Sequence, residues 1–331
     1  MGVAVDKLSS NSMPQMTYMD ALVQAQVEEM QRDSRVILMG EDIAVYGGGR
    51  LVEQFGASRI WNTPISETGF TGVGIGAAIT GLRPIVDLSI ASFMYLASDP
   101  IINQAAKLPY MTGGQVKVPI VFRCCMFYGS GLAAQHSDRP YPVFMNIPGL
   151  KIVSPTTAAD MKGLMKSAVR DDDPVLVFED TKLWPIKGPV PSDPEFLVPI
   201  GKADIKQVGS DVTIVAIGGA MRQAIEAAKV FTSRGISAEL IDPRTLKPLD
   251  IATIVSSVAK TGRLVLVENA HRICGVTAEI AATLAEEAFG SLKRPIQRLT
   301  VPDVHIPFSP ALEKGLYPMK DSIVAAVEKI L

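Results

Sequence analysis

The sequence contains few residues of the kinds that build disulfide frameworks or metal centres. Three cysteines occur among 331 residues: Cys124 and Cys125 are adjacent, and Cys274 lies far along the chain. An odd count with adjacent members is typical of a reducing compartment, and the spacing matches no common metal site. The three histidines are scattered as well. This residue usage predicts a cytoplasmic protein.

The chain also has no long apolar run. Charged residues or prolines interrupt every hydrophobic stretch before it reaches the length of a membrane span, so no membrane partner is expected. Residues 1–16 have neither the apolar core of a signal peptide nor the Arg-rich pattern of a transit peptide. We expect this segment to be a short disordered lead.

An excess of basic charge is missing too. Lysine and arginine total 32 against 34 acidic residues, which gives a formal net charge of −2. No basic patch or tail is visible, and this argues against a nucleic-acid partner.

The composition that is present, 47% hydrophobic and 20% charged, suits a globular protein of two domains. Apolar β-branched runs alternate with amphipathic stretches along the whole chain. In the first half, we predict strands at 36–39, 84–88, 118–123, 151–154 and 174–179 and helices at 17–32, 71–80, 98–107 and 157–170. In the second half, we predict strands at 212–217, 236–241, 263–268 and 296–301 and helices at 221–234, 250–260, 277–289 and 320–330.

Strands that are apolar throughout and separated by helices indicate a parallel sheet covered on both faces. Around residues 181–201 the alternation stops, and five prolines within 21 residues indicate a linker. The predicted fold class is therefore α/β, with two tandem domains of mostly parallel sheet at 17–190 and 191–331.

The first segment with candidate chemistry is TPISETGFTGVGIG at residues 63–76. Glu67 precedes a glycine-rich helix start, where a carboxylate either serves a reaction or only complements the helix dipole. The glycines do not form a dinucleotide fingerprint, because the preceding strand and the spacing are missing. They indicate instead that backbone or a ligand approaches this helix closely.

A second candidate, His136, lies in a loop after a predicted parallel strand, at the edge where α/β sheets bind ligands. Imidazole exchanges protons near neutral pH, so acid–base work is one interpretation, and a histidine satisfied by backbone groups is the other.

Two further polar segments have both a functional and a plain structural interpretation. The acidic turn at Asp171–Asp173 is either a solvated cap or a cation site. Glu268 and His271 follow a strand of the second half, where they face a ligand or partner chain or simply supply loop polarity.

The order and wording of these segments together resemble one family. The matching motifs are MGED (39–42), TPISE (63–67), GLRP (81–84), NQAAK (103–107), QHS (135–137), PGLK (148–151) and AVRDDDP (168–174). In this combination the chain closely resembles β subunits of the decarboxylating components of 2-oxo acid dehydrogenases, with pyruvate and acetoin dehydrogenase types nearest. The match extends from about residue 17 to the C-terminus.

The resemblance implies a transketolase-like pyrimidine-binding domain followed by a transketolase C-terminal-like domain. It further implies thiamine diphosphate shared with an α subunit that holds the diphosphate and Mg²⁺. The absence of any Gly-Asp-Gly sequence in this chain agrees with that division. The implied partners are the α subunit in an α₂β₂ heterotetramer, a second β subunit and a lipoyl acyltransferase.

The same resemblance implies roles for individual residues. Glu67 matches the glutamate that shares a proton with the aminopyrimidine ring nitrogen of the cofactor. Phe93 matches the aromatic residue that packs on the pyrimidine, and Ile65 is matched as a further cofactor contact. His136 matches the histidine that assists transfer of the acyl group to the lipoyl arm. A potassium site, formed largely by backbone oxygens, is implied at Ile120, Ala168, Asp171 and Asp173.

The chain departs from the family pattern directly after His136, where DRPYP occupies residues 138–142. The charged Asp138 and Arg139 indicate either an unusual substrate or a surface pair that contributes little. The alternative function is a split transketolase-type subunit acting on another ketone or a sugar substrate. A sugar phosphate would need several basic or histidine residues near the active-site loops, and Arg139 is the only evident candidate, which argues against this function. A structural subunit without chemistry is the remaining hypothesis, and the presence of both Glu67 and His136 speaks against it.

Overall fold

A computed structural model describes residues 13–43 and 48–331. The first half contains strands β1 (Gln15–Thr17), β2 (Val36–Gly40), β3 (Ile60–Asn62), β4 (Arg83–Ile90), β5 (Val121–Met126), β6 (Lys151–Val153), β7 (Val175–Asp180) and β8 (Lys187–Pro189). Its helices are α1 (Tyr18–Arg32), α2 (Gly49–Phe55), α3 (Glu67–Ile79), α4 (Leu108–Met111), α5 (Tyr141–Met145) and α6 (Ala158–Arg170).

The second half repeats the alternation. Its strands are β9 (Asp204–Gln207), β10 (Val212–Ala216), β11 (Ala238–Asp242), β12 (Thr245–Lys247), β13 (Leu264–His271) and β14 (Gln297–Val301). Its helices are α7 (Ala220–Ser233), α8 (Ile251–Thr261), α9 (Val276–Glu287), α10 (Pro310–Glu313) and α11 (Lys320–Glu328). The predicted α/β fold class with mostly parallel sheets is confirmed.

In the described part of the chain, the larger sheet has seven strands in the order β12-β6-β7-β5-β4-β2-β3. Neighbouring strands are parallel except at one edge, where β12 pairs antiparallel with β6. Every residue of β2, β5 and β7 is buried, as expected for a parallel sheet with helices on both faces. Since β12 lies beyond residue 191, the second half of the chain completes the sheet of the first.

The second sheet has the order β14-β13-β10-β11-β9, parallel except for β9. A two-stranded antiparallel sheet pairs β1 with β8. Strand β1 begins at Gln15, inside the predicted lead, whose residues 1–12 lie outside the described residues. Strand β8 lies within the predicted linker, and its place in a small peripheral sheet agrees with the proline content there.

Local sequence accounts for the N-terminal starts of α1 and α6, the two helices that cover one face of the larger sheet. The hydroxyl of Thr17 accepts from the backbone N–H of Asp20 at 3.0 Å, and Thr157 caps α6 through the N–H of Asp160 at the same distance. In each case the aspartate accepts a hydrogen bond from the threonine hydroxyl in return. The bond to the threonine hydroxyl satisfies one of the N–H groups that a helix start leaves free, and the bond to the carboxylate holds that hydroxyl in place.

Some boundaries differ from the prediction for physical reasons. The strand predicted from residue 118 starts at Val121, because Pro119 has no N–H to pair in a central strand. The helix predicted at 98–107 is a π-helical turn at Pro100–Ala105, in which the Ala106 N–H donates to the Ile101 carbonyl. Among the described residues, no helix has the length and apolar character needed to cross a membrane.

Candidate active site

The candidate residues converge at one edge of the larger sheet. Strands β5, β4, β2 and β3 are neighbours in that order, and all run parallel. Glu67, Phe93 and His136 follow the carboxyl ends of β3, β4 and β5, respectively. Crevices at the carboxyl edge of such sheets bind ligands, because the loops there converge without strands between them.

Glu67 is the first residue of α3, and its side chain is buried. This position places the carboxylate at the positive end of the helix dipole, as the structural interpretation required. The hydroxyl of the neighbouring Thr68 donates to the Leu96 carbonyl at 2.5 Å, which ties the start of α3 to the segment after Phe93. One of the glycines in this helix is required by close packing. A Cβ at Gly74 would lie 2.7 Å from the Val86 side chain of β4, which is too close.

Glu41 is a site residue to which the sequence analysis assigned no role. It follows β2, is buried, and its Oε2 atom has no hydrogen-bond partner. Burial, together with the negative charges of Glu67, Asp42 and Asp87, raises the pKa of its carboxyl to about 7. The signal available in the sequence was an acidic residue directly after an apolar parallel strand, in the quoted MGED motif.

A buried ion-pair network lies on the neighbouring strands beneath this edge. The Arg123 guanidinium on β5 pairs with Asp87 on β4 and, through Nε at 2.7 Å, with Glu179 on β7. The indole N–H of Trp184 donates to the other Glu179 oxygen at 3.3 Å. Paired in this way, Asp87 and Glu179 can remain inside the sheet at a tolerable desolvation cost.

Phe93 and His136 contact each other directly. Their rings meet edge to face, with centroids 5.5 Å apart and an interplanar angle of 79°. The hydroxyl of Ser92 donates to the Gln135 carbonyl at 2.5 Å, so adjacent residues join the same two turns. Ile65, in the loop before Glu67, has 76% of its surface exposed and is available to a ligand or partner.

Arg139, the single candidate phosphate contact of the alternative function, points inward and is not a surface residue. The side chain is buried and forms a two-pronged ion pair with Asp180, at 2.5 Å from Nη2 and 3.2 Å from Nη1. It also stacks over the Tyr128 ring at 5.2 Å. Asp138 lies near Tyr95 instead: burial, together with the Asp138 carboxylate, raises the pKa of the Tyr95 hydroxyl to about 12.

The acidic turn after α6 is held by basic side chains. Lys151 Nζ lies 2.8 Å from both carboxylate oxygens of Asp171 and 3.0 Å from an oxygen of Asp173. The Arg83 guanidinium donates to the carbonyls of residues 169, 170 and 171 at 2.7–2.9 Å. These contacts cap the helix end and occupy the two carboxylates of the predicted potassium site.

The other two members of that site take part in backbone hydrogen bonds. The Ile120 carbonyl accepts from Val175 at 3.0 Å, and the Ala168 carbonyl accepts from Asp171 at 3.3 Å. Each carbonyl has a second lone pair that a cation can use. Among residues 13–43 and 48–331, no cluster of three or more acidic, histidine or cysteine side chains is arranged to hold a metal. The potassium site stays a prediction.

Glu268 has a structural role. Its carboxylate accepts from the backbone N–H groups of Val276 and Thr277 at 3.1 and 3.0 Å, and so caps α9. His271 Nε2 lies 3.0 Å from the Val304 carbonyl, and backbone therefore satisfies this ring. For both residues the structure shows hydrogen bonds to backbone within the chain, which agrees with the plain structural interpretation.

Comparisons with protein families match both halves of the chain. Residues 14–187 match the transketolase pyrimidine binding domain, and residues 201–323 match the transketolase C-terminal domain. Two family models therefore cover nearly the whole sequence in the order that the resemblance implied.

Curated relatives are similar over nearly the full length of this chain. The acetoin:2,6-dichlorophenolindophenol oxidoreductase subunit beta of Bacillus subtilis (strain 168) is 43% identical, covering 94% of this chain and 96% of the relative. The pyruvate dehydrogenase E1 component subunit beta of Rhizobium meliloti (strain 1021) is 44% identical, covering 97% and 71%. The 2-oxoisovalerate dehydrogenase subunit beta of Bacillus subtilis (strain 168) is 42% identical, covering 95% and 98%.

A solved structure has the same fold. A split gene transketolase, described as an inactive beta4 tetramer, superposes with a TM-score of 0.78 at 26% identity and covers 96% of this chain and 98% of its own.

Proposed function

Because this chain belongs to the family of β subunits of 2-oxo acid and acetoin dehydrogenases, we propose that it is the β half of a dehydrogenase component dependent on thiamine diphosphate. In this function it acts with an α subunit to cleave acetoin or decarboxylate a 2-oxo acid, and transfers the acyl group to a lipoyl carrier. The observation that carries the proposal is the convergence of Glu67, Phe93 and His136 at the carboxyl edge of one parallel sheet.

The residues at this edge fit the pyrimidine half of the cofactor. Glu67 is a buried carboxylate whose charge acts on the carboxyl of Glu41, and the Oε2 atom of Glu41 has no hydrogen-bond partner. An aromatic ring, Phe93, belongs to the same edge. When bound, thiamine diphosphate supplies a carbon nucleophile and an electron sink. Glu67 would hold and release a proton at the pyrimidine ring nitrogen, while Phe93 and Ile65 would orient the ring.

His136 would serve the later step, at the lipoyl carrier. An imidazole side chain can act as a proton donor or acceptor, and contact with Phe93 fixes one edge of this ring. A histidine held in this way is suited to protonating a sulfur leaving group as the acyl group is passed on.

The α subunit supplies the rest of the site. No Gly-Asp-Gly sequence occurs in this chain, so the diphosphate and its Mg²⁺ would be held by the partner. The exposed side of α3 suits such a partner, because nothing lies within 4 Å of a Cβ built at Gly72 or Gly76, and Val73 and Ile79 are exposed between and beyond them. A helix can approach this side closely.

The assembly would be an α₂β₂ heterotetramer that contains a β–β contact and docks onto a lipoyl acyltransferase. The relatives named as beta subunits and the transketolase tetramer support the heterotetramer. Potassium at the backbone oxygens of Ile120 and Ala168, beside Asp171 and Asp173, would brace the first domain at the end of α6.

The split transketolase function receives less support. The relatives above 40% identity are dehydrogenase β subunits, whereas the transketolase is 26% identical. Its expected phosphate contact, Arg139, pairs inward with Asp180.

Co-expression of the chain with its α partner tests the proposal. The purified complex would be assayed for reduction of an artificial electron acceptor with pyruvate, acetoin and branched 2-oxo acids, with and without thiamine diphosphate and Mg²⁺. We expect activity that requires both chains and the cofactor. The substrate with the highest activity then identifies the substrate class of the enzyme. A well-formed complex that fails to bind thiamine diphosphate would refute the central claim. Activity on sugar phosphates alone would instead favour the transketolase function.

A further inference from the structure

The loop that carries His136 is held from the other half of the chain. Between the end of β5 and the His136 turn, Gly129, Gly131 and Ala133 adopt left-handed backbone conformations, with φ of 59°, 66° and 61°. The two glycines give this loop many accessible conformations, so its position depends on contacts with other segments.

Glu313, the last residue of α10, provides such a contact. Only 1% of its surface is exposed. One carboxylate oxygen accepts from the Gly129 N–H at 2.7 Å, and the other accepts from the Gly131 N–H at 2.8 Å. The Tyr317 hydroxyl lies 3.3 Å from the first oxygen. Hydrogen bonds from N–H groups to an ionised carboxylate are among the strong ones, and here both bonds hold one loop.

The other flank of His136 is held in a related way. Arg139, three residues further on, pairs with Asp180, and the same carboxylate accepts from the Gly219 N–H before α7 at 2.5 Å. The rings of Tyr128 and Tyr317 also meet edge to face, with centroids 5.4 Å apart. The His136 turn is thus bounded on both sides by contacts that reach the second half of the chain.

We propose that Glu313 is a positioning residue, which sets the place of His136 by fixing the 129–131 loop to the C-terminal half. The inference rests on the proposed role of His136 in acyl transfer. In this arrangement the C-terminal half takes part in the reaction without touching the substrate. A structural role alone would stabilise the chain but leave the rates of the two chemical steps in their original ratio.

The size of the effect follows from geometry. A misplacement of about 1 Å at a reacting group can lower a rate about 100-fold. Glu313→Ala removes both acceptors, and we expect acyl transfer to fall about 10- to 100-fold. Glu313→Gln retains one acceptor oxygen but turns an amide NH₂ toward the second N–H, so a smaller loss is expected. Glu328→Ala is the matched control, because that glutamate pairs with Arg234 at the surface.

The test measures position and chemistry separately in the complex with the α partner. Hydrogen–deuterium exchange of the segment containing residues 129–131 reports the two N–H bonds. Carbethoxylation followed by peptide mass spectrometry reports the surroundings of His136, and the chain has only two other histidines, His271 and His305, as internal references. Single-turnover kinetics then separate formation of the acyl group from its transfer to a lipoyl substrate.

In the Glu313 variants we expect faster hydrogen–deuterium exchange at residues 129–131 and a carbethoxylation rate at His136 that changes at least about threefold. The loss of activity should be confined to acyl transfer, and it should be larger for Glu313→Ala than for Glu313→Gln. The control variant should match the wild type in all three. A loosened loop with acyl transfer and His136 reactivity unchanged would overturn the proposal. If His136→Ala itself leaves acyl transfer intact, the proposed role of His136 has failed, and the carbethoxylation rate alone then decides whether Glu313 positions the ring.

Discussion

The imidazole ring of His136 stands edge-on against the ring of Phe93, with centroids 5.5 Å apart. The two residues follow neighbouring strands of the sheet, so their contact links two turns that the sequence separates by 43 positions. Aromatic contacts of this kind contribute about 0.5–1.5 kcal/mol beyond area burial. The contact therefore orients the histidine without adding a charge beside it.

Glu67→Gln tests the assignment of the carboxylate at the start of α3. The two side chains are nearly isosteric, so we expect the fold and the complex to persist while proton transfer to the cofactor fails. Overall turnover should fall at least about 100-fold, within the usual contribution of a general acid–base group. Deuterium exchange at the reactive carbon of the bound cofactor measures the step directly, and circular dichroism checks the fold. Normal exchange in this variant would remove Glu67 from the mechanism.

His136→Ala is expected to separate two steps of the reaction. Loss of the imidazole should slow acyl transfer to a lipoyl substrate more than the earlier cleavage of the substrate, because only the former uses its proton. Reduction of an artificial acceptor, which bypasses the lipoyl carrier, should be affected less than the lipoyl-dependent assay. Equal losses in both assays would contradict the assignment. His305→Ala, which removes an exposed histidine outside the candidate site, serves as the matched control.

Glu41→Gln should change how stability depends on pH. Burial and the charges nearby raise the pKa of Glu41 to about 7, above its ordinary value of 4.5. The folded state therefore retains a proton that the unfolded state has lost. The resulting stabilisation is full below about pH 4.5 and disappears as pH rises through about 7, with a slope of at most about 1.4 kcal/mol per pH unit. Urea unfolding of both forms from pH 5 to 8 measures the difference in slope. Parallel curves would show that Glu41 titrates normally.

Arg139→Met should destabilise the fold, because it leaves the buried Asp180 carboxylate without its ion partner. Breaking one side of a buried pair costs about 3–5 kcal/mol. The double variant with Asp180→Asn should recover part of the loss, since no charge is then left buried. Arg234→Met, which breaks an exposed pair with Glu328, should cost under about 1 kcal/mol. Denaturant unfolding compares the three. A cost for Arg139→Met as small as that of the exposed pair would mean that Arg139 is not held inward.

Potassium should raise the melting temperature of the chain if the backbone site at Ile120 and Ala168 binds it. Binding only to the folded state stabilises by about 2.7 kcal/mol at 100 times the dissociation constant. Thermal unfolding in potassium chloride would be compared with choline chloride at equal ionic strength. Identical melting temperatures would rule the site out, and Asp171→Ala should abolish any difference that is seen.

Much of the fold was readable from local sequence. The threonines that cap α1 and α6 and the apolar runs of β2 and β7 gave correct elements, because their signals depend on neighbours in the chain. The sequence analysis missed features whose position depends on residues far away in the chain. Strand β12 pairs with β6 in the sheet of the first half, and no local pattern at residues 245–247 indicates which sheet this strand will join.

The candidate site divides in the same way. Ordered motifs made Glu67 and His136 candidates, and the family resemblance added Phe93, because residue types and their order along the chain do not depend on the environment. Burial and charge pairing are different, since they exist only once distant segments meet. Tertiary structure alone turned Arg139 inward to Asp180, set Glu41 beside Glu67 with a raised pKa, and brought Glu313 from the far end of the chain to the loop before His136. The sequence by itself determined which chemical groups are present and on which elements they lie, whereas long-range packing decided which of those groups are free to react and which are held in ion pairs.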